Sequence, residues 1–306
     1  MQGGISEWRR NASYFDFQGH RIAYWQSEAL EPNARPLLLV HGFPTCSRDW
    51  DKVWETLGTR HRLIACDMLG FGLSDKPKSG YSIHRQTDLQ EALLAHLGIT
   101  EFDAFVHDYG VSVGQELLAR QQDGSGATGL GQMVFLNGGI FPDQHRPRPI
   151  QKLGISPFGF LVGLLMSRKS FGKSFSEVFG PDTQPSEKEL DEFWELIAHN
   201  RGNRLTHKLL HYIGDRVTHK DRWEAALVAA QHKIGLINGA LDPVSGQHAY
   251  DRWCETLPHA RKHLIQHVGH YPQVEAPHEV ATTALEWLAA MPRPNRAGSR
   301  RAVRGS

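Results

Sequence analysis

The segment 102–121 constrains the fold most, because an apolar run passes without a linker into a helical pattern. The segment 102–106, apolar except for Asp103, predicts a buried strand, and residues 110–121 predict a helix. Only His107-Asp108-Tyr109-Gly110 joins them, which leaves room for no more than a sharp turn. A turn of this kind exposes one side chain above the carboxyl edge of a parallel sheet, and here that side chain belongs to Asp108.

Short apolar runs alternate with helical patterns along the chain, starting from a hairpin-like pair of strands within 13–26. Alternation of this kind, with strands apolar on both faces, is typical of a parallel sheet covered by helices on both sides. The sequence therefore predicts an α/β fold with a mostly parallel, eight-stranded sheet flanked by helices. The further strands are expected at 36–40, 63–66, 102–106, 132–136, 233–238 and 262–265, with helices near 47–58, 84–97, 110–121 and 278–290.

The alternation stops between about residues 140 and 222, where six prolines interrupt helical stretches such as 187–199. We interpret 140–222 as a helical cap inserted after the sixth strand. Residues 1–139 and 223–291 would then form the core domain. The tail 292–306 is rich in Arg, Gly and Ser and is expected to be disordered.

Composition excludes several classes of function. The net charge of +1, from 34 Lys and Arg against 33 Asp and Glu, gives no reason to expect nucleic acid as a partner. The three cysteines have no CxxC spacing, so neither a disulfide framework nor a metal site is expected, and no cofactor is required. The chain lacks a run of roughly 18 apolar residues that would span a membrane. We expect a cytoplasmic monomer or homodimer that acts on a small apolar molecule.

Polar residues follow the carboxyl ends of several predicted strands, where parallel sheets gather ligands. His41-Gly-Phe-Pro44 follows the strand 36–40, and Asp242 and His270 follow the last two strands. With Asp108 these residues occur in the chain order nucleophile, acid, histidine. Asn137 ends the strand before Asp242 and cannot serve as the acid, which favours Asp242. The backbone N–H groups of Phe43 and Tyr109 are predicted to form an oxyanion hole.

These segments, together with Asp67-Met-Leu-Gly-Phe-Gly-Leu-Ser-Asp-Lys-Pro77, resemble the α/β-hydrolase superfamily over residues 13–290. Within it they are similar to the epoxide hydrolase and haloalkane dehalogenase group. Leu136-Asn-Gly-Gly-Ile-Phe-Pro142 and Gly269-His-Tyr-Pro-Gln273 look most similar to mesoderm-specific transcript type proteins. The resemblance implies that Asp108 is the nucleophile, His270 the base and Asp242 the residue that orients the base.

A carboxylate nucleophile narrows the chemistry, because it attacks saturated carbon well but gains little by attacking an ester. Asp108 would displace a leaving group from an epoxide or a carbon–halogen bond and form an alkyl-enzyme ester. His270 would then activate water to hydrolyse that ester, while Asp242 fixes the imidazole tautomer. The substrate is therefore expected to be a small apolar electrophile, and the second reactant is water.

The leaving group distinguishes the two reactions. An epoxide oxygen needs a proton donor such as a phenol, and Tyr212 is the tyrosine available in the predicted cap. A halide needs N–H donors, for which Trp194 and Trp223 are candidates. Phe43 favours an epoxide hydrolase, whereas the segments 67–77 and 106–110 look more like dehalogenases, so we prefer the epoxide and keep the halide as the alternative. A non-catalytic binding or interaction protein of the same fold is the alternative outside this class.

Overall fold

The computed structural model of the protein describes residues 4–28, 35–127, 129–144, 153–156 and 158–289. Within these residues eight strands form one sheet in the order β1-β2-β4-β3-β5-β6-β7-β8. The predicted eight-stranded sheet is confirmed. The strands are β1 (Ser13–Phe17), β2 (His20–Gln26), β3 (Leu37–Val40), β4 (Leu63–Cys66), β5 (Glu101–Val106), β6 (Gly129–Phe135), β7 (Ile234–Gly239) and β8 (Arg261–Ile265).

The sheet is parallel except at one edge. The hairpin β1-β2 turns at Gln18 and Gly19, which both have positive φ angles, and β2 then pairs antiparallel to β4. All later pairs are parallel, and Val40 of β3 lies opposite Val106 of β5. Because β3 and β5 end in register, the loops that follow them emerge side by side. This register brings the segment after Val40 next to Asp108.

Helices cover both faces of the sheet, as strands that are apolar throughout require. Alternate residues of a strand point to opposite faces, and in β3 Leu38 and Val40 join one buried cluster while Leu37 and Leu39 join the other. The α-helices outside the predicted cap are Ile5–Arg10, Asp51–Gly58, Ile83–His96, Tyr109–Asp123, Gln247–Thr256, Pro272–Glu275 and Pro277–Ala289, and a short 3₁₀ turn spans Ser47–Trp50.

Only helical segments are described between β6 and β7. Their helices are Phe160–Leu165, Arg168–Ser176, Glu187–Ala198, Thr206–Leu209, Tyr212–Thr218 and Lys220–Ala230, with a 3₁₀ segment over His199–Leu205. Three phenylalanines of this region, Phe171, Phe175 and Phe179, pack with Tyr271 of the core into a third buried cluster. We retain 140–222 as the proposed cap, although the helix Lys220–Ala230 runs across its predicted end. The predicted tail 292–306 lies outside the described residues.

Two further expectations concern cysteines and membrane spans. All three cysteines are free, with Cys46 and Cys66 buried and Cys254 partly exposed. Across the described ranges, every helix is too short or too polar to cross a bilayer.

Candidate active site

Asp108 sits at the sharp turn between β5 and the helix Tyr109–Asp123 with φ 48° and ψ −108°. A positive φ is unfavourable for a residue with a side chain, and such strain is concentrated at functional sites. Glycines make the turn sterically feasible. A Cβ on Gly42 would lie 2.7 Å from Asp108 Cβ, and one on Gly110 would lie 2.4 Å from the Val40 carbonyl oxygen. The surrounding backbone therefore holds Asp108 in a conformation that it would not adopt alone.

The structure brings Asp108, His270 and Asp242 together. His270 Nε2 lies 3.2 Å from Asp108 Oδ2, and His270 Nδ1 lies 2.7 Å from Asp242 Oδ2. All three side chains are buried. An imidazole between two carboxylates has one nitrogen fixed by the acid and the other directed at the reacting group, which is the geometry of a catalytic triad.

Besides His270, three further groups hold the Asp242 carboxylate in place. Its Oδ2 accepts hydrogen bonds from Ser245 Oγ at 2.6 Å and from Asn137 Nδ2 at 2.9 Å, and its Oδ1 accepts one from the Val244 N–H at 2.7 Å. Sequence reasoning considered Asn137 only as a place for the acid and missed Ser245. Asn137 instead acts as a donor that orients the acid in the turn after the neighbouring strand β7.

The predicted oxyanion hole has one donor in place. The Phe43 N–H donates to Asp108 Oδ1 at 2.7 Å. Tyr109 is the first residue of its helix, so its N–H has no acceptor one turn earlier in that helix. The two carboxylate oxygens of Asp108 thus have different surroundings, since Oδ1 faces the Phe43 N–H and Oδ2 faces His270.

The charges of the triad stabilise one another. Burial alone would raise the pKa of Asp108, but the hydrogen bond and charge of His270 lower it below its ordinary value. Burial likewise opposes ionisation of Asp242, whose pKa His270 also lowers. Burial would lower the pKa of His270, yet Asp242 and Asp108 raise it to about 10. In the free protein the triad therefore contains two carboxylates and an imidazolium at neutral pH.

His107 is a neighbour of the triad that sequence reasoning did not single out. Its Nε2–H donates to the His270 carbonyl oxygen at 2.8 Å, and its side chain is completely buried. Burial, followed by the charge of His270, lowers the pKa of His107 to about 3, so its imidazole is neutral. His107 fixes the backbone of the loop that carries His270. The signal in the sequence was its position directly before Asp108.

The three candidate leaving-group donors differ in their positions and contacts. Tyr212 is buried at the site, with its ring centre 4.6 Å from that of Tyr109. The indole N–H of Trp223 donates to Glu116 Oε2 at 2.8 Å, which disfavours Trp223 as a donor to the leaving group. Trp194 packs on Phe171 within the third cluster, and no described contact joins it to Asp108.

Arg216 is a further charged residue near the site that the sequence reading missed. It lies four residues after Tyr212 on the same helix, so the two side chains share one helix face. Burial lowers the pKa of Arg216, while Tyr212 and Asp108 oppose this shift. An arginine keeps its charge at neutral pH even so. A Tyr-x-x-x-Arg spacing in the predicted cap is the signal that could have indicated it.

A narrow cleft of about 10 Å³ lies beside the oxyanion loop, between the core and the helical region. It is lined by Phe43, Pro44, Gly70, Phe71, Gly72, Ile197, Gly202, Thr206 and Leu209. Its volume is about that needed for one water molecule. In the part of the chain that the structure describes, no group of three or more His, Cys, Asp or Glu side chains is placed to hold a metal ion.

The His270–Asp242 pair predicts a pH-dependent contribution to stability. The pKa of His270 rises from 6.5 to about 10 on folding, so its stabilisation is fully present below pH 6.5 and is lost as the pH rises toward 10. The difference in unfolding free energy between the wild type and Asp242→Asn should therefore shrink from pH 6.5 to pH 10. Urea unfolding across this range measures it, and a constant difference would contradict the ionic pairing.

Comparison with known proteins agrees with the fold and the motifs. The model of the alpha/beta hydrolase family matches residues 37–283. The mesoderm-specific transcript homolog protein of Homo sapiens is 41% identical over 287 residues, which cover 90% of this chain and 85% of that protein.

Solved structures show the same fold at lower identity. A haloalkane dehalogenase loop variant from Bradyrhizobium elkanii has a TM-score of 0.76 at 20% identity and covers 91% of this chain and 96% of its own. An epoxide hydrolase without ligand has a TM-score of 0.71 at 21% identity and covers 91% and 98%. With the family model matching most of the residues, the chain belongs to the alpha/beta hydrolase family.

Proposed function

We propose that this protein is a hydrolase that uses Asp108 as a nucleophile and passes through an alkyl-enzyme ester, with an epoxide as the preferred substrate. One observation carries the proposal. The Asp108 carboxylate lies between the Phe43 N–H, at 2.7 Å from Oδ1, and His270 Nε2, at 3.2 Å from Oδ2, while Asp242 holds the other side of the imidazole.

In the first step Asp108 Oδ2 attacks a carbon of the epoxide ring. The carbon–oxygen bond of the ring breaks, its electron pair moves to the ring oxygen, and an ester forms at Asp108. Oδ1, which the Phe43 N–H already binds, becomes the ester carbonyl oxygen. Burial and then the charge of Asp108 raise the pKa of Tyr212, so its phenol is protonated and can give a proton to the opened oxygen.

In the second step water hydrolyses the ester. Formation of the ester removes the charge of Asp108, one of the groups that raise the pKa of His270. The imidazolium therefore loses its proton, which converts the Tyr212 phenolate left by the first step back to the phenol. His270 Nε2 then takes a proton from water, and the hydroxide attacks the Asp108 carbonyl carbon. The oxyanion is stabilised by the N–H groups of Phe43 and Tyr109. Collapse breaks the bond between the carbonyl carbon and the substrate oxygen, and the departing alkoxide takes the proton of the Asp108 carboxylic acid, so that the diol leaves and the carboxylate and the imidazolium are restored.

The surroundings of the leaving group favour the epoxide over the halide. Tyr212 is buried beside Tyr109 and supplies a phenol, which an alkoxide requires. The halide alternative needs indole or amide N–H donors, and the Trp223 N–H is taken by Glu116. Haloalkane hydrolysis remains the second candidate, because a haloalkane dehalogenase is among the proteins that share this fold.

A binding protein that retained the triad without turnover is the alternative outside catalysis. A blocked cap cavity, or an Asp242 carboxylate turned away from His270, would favour it. The second condition is not met, because Asp242 Oδ2 lies 2.7 Å from His270 Nδ1. We propose instead a cytoplasmic enzyme, monomeric or homodimeric, that uses water and one small electrophile.

The test compares styrene oxide with 1-bromobutane as substrates, measuring diol formation and bromide release. Tyr212→Phe should slow epoxide hydrolysis by about 100-fold or more, because the alkoxide loses its proton donor. Bromide release, if the protein shows any, should not depend on this phenol. Tyr14→Phe, at an exposed position, is the matched control. Bromide release without diol formation would transfer the assignment to dehalogenation, and no turnover of either substrate would favour the binding protein.

A further inference from the structure

We propose that Arg216 forms a carboxylate-binding subsite in this active site, so that the substrate is a small carboxylic acid that also carries the electrophilic carbon. The proposal rests on the proposed function, because it names the substrate class of the same site. It would add one anionic group to a substrate otherwise expected to be apolar.

The Arg216 guanidinium is buried without a paired carboxylate in the described part of the chain, and its neighbour Tyr212 is a neutral phenol. The residue is 2% exposed, and its Nε, Nη1 and Nη2 have no hydrogen-bond acceptor among the described residues. The segment 145–152, which lies outside those residues, contains no Asp or Glu in its sequence. Arg120 offers a contrast, since it pairs with Asp88, Glu91 and Glu116 at 2.6 to 2.9 Å.

Arg216 lies at the carboxyl end of β6, close to the triad. A Cβ on Gly139 would be 2.0 Å from the guanidinium carbon, so the group rests directly on the Gly139 backbone. Gly138, one residue earlier, packs against Asp108, since its Cβ would lie 3.0 Å from Asp108 Cα. The guanidinium carbon is also 5.9 Å from the ring centre of Tyr212. Arg216 and Asp108 therefore flank the same two-glycine segment.

Asp108 does not serve as the missing partner. Its two oxygens are bound by the Phe43 N–H and by His270, and no ion pair joins it to Arg216 within the described chain. The adjacent Asp215 is also engaged, because its Oδ2 accepts the Ile83 N–H at 2.9 Å. A buried charge without a partner is unfavourable, and a ligand that brings the opposite charge removes the penalty.

The chemistry of the vacant donors selects the ligand class. A guanidinium offers N–H groups in a planar fork that matches the two oxygens of a carboxylate. A substrate carboxylate held there would place the rest of the molecule between Arg216 and Asp108. The subsite would thus orient the substrate and fix which of its carbons meets Asp108 Oδ2.

Binding is tested by calorimetry with 3-phenylpropanoate and with the neutral 3-phenylpropanol. The wild type should bind the acid and discriminate against the alcohol. Arg216→Met should weaken binding of the acid by roughly 10- to 100-fold. Arg216→Lys, which keeps the charge but loses the fork, should fall between them. Arg252→Met, at a partly exposed arginine near Asp143, is the matched control and should bind as the wild type does.

Stability separates a ligand subsite from a structural arginine. If the Arg216 guanidinium is unpaired until a ligand binds, the substitution Arg216→Met removes an unpaired buried charge. The variant should then melt at the same temperature as the ligand-free wild type or higher. A lower melting temperature together with unchanged binding of the acid would overturn the proposal. Gly139→Ala is a second variant with Arg216 intact. Its Cβ would displace the guanidinium and should weaken acid binding while neutral ligands are unaffected.

The reaction is tested by trapping the ester in His270→Ala with 3-phenylglycidate and with styrene oxide. A glycidate adduct on Asp108 that is lost in His270→Ala/Arg216→Met supports both proposals. An adduct from styrene oxide alone supports the nucleophile and overturns the subsite. Arg216-dependent binding of the acid with no adduct from either epoxide supports the subsite and overturns the proposed hydrolysis. Equal loss of both adducts in the double variant would make Arg216 a general leaving-group donor and also overturn the subsite.

Discussion

Asp108→Ala should abolish hydrolysis of any substrate, with a loss of at least roughly 10⁴-fold in kcat. The reason is that Asp108 Oδ2 forms the bond to carbon and Oδ1 becomes the carbonyl oxygen of the intermediate. Without the carboxylate the ester cannot form, so there is no intermediate for water to hydrolyse. The variant should still fold, because the shorter alanine side chain leaves the packing of the core intact and the substitution removes one buried charge. Initial rates of diol formation measure the effect.

The control for this prediction is Asp182→Ala, which removes an exposed carboxylate and should leave the rate unchanged. A folded Asp108→Ala protein that retains more than about one hundredth of the wild-type rate would mean that water attacks the substrate directly. In that case Asp108 would be a helix cap and an electrostatic neighbour rather than the nucleophile.

His270→Ala should stop hydrolysis of the ester while leaving its formation intact. Attack by Asp108 needs the carboxylate and the Tyr212 phenol but no base, whereas attack of water on the ester needs the base at Nε2. Turnover should fall roughly 10³- to 10⁶-fold, and the intermediate should accumulate to one equivalent per active site. Intact-mass spectrometry after incubation with styrene oxide should show the mass of the whole epoxide added.

His259→Ala, at an exposed histidine, is the matched control and should accumulate no adduct. If His270→Ala is inactive and carries no adduct, the histidine acts before the covalent step and the order of events proposed above is wrong. An adduct at a residue other than Asp108 would also contradict the mechanism.

The parts of the site that the sequence predicted are those fixed by local chain geometry. Asp108, Asp242 and His270 each follow an apolar run that ends a strand, and strand ends of a parallel sheet share one edge. The alternation of Leu37 to Val40 between two apolar faces could likewise be read as a strand buried on both sides. Strand periodicity and turn chemistry were therefore sufficient to predict most of the fold and the three residues of the triad.

The parts that the sequence did not predict depend on which helix faces which neighbour. Trp223 was a candidate donor, but the helix Lys220–Ala230 packs against Tyr109–Asp123 and turns its indole to Glu116. Arg216 was overlooked because an arginine in a helix is usually solvated, and only tertiary packing shows that this one rests on Gly139. Asn137, which follows β6, and Ser245, in the loop after β7, both donate hydrogen bonds to Asp242. The periodicity of the strands does not predict these contacts.

The central claim is that an Asp108 oxygen, and not water, first bonds to the substrate carbon. A single turnover of styrene oxide by excess wild-type enzyme in H₂¹⁸O tests this most directly, followed by mass mapping of the peptide that contains Asp108. The account predicts a diol without ¹⁸O and an Asp108 peptide that has gained ¹⁸O, because water attacks the ester carbonyl. A diol that carries ¹⁸O, with an unlabelled Asp108 peptide, would contradict it.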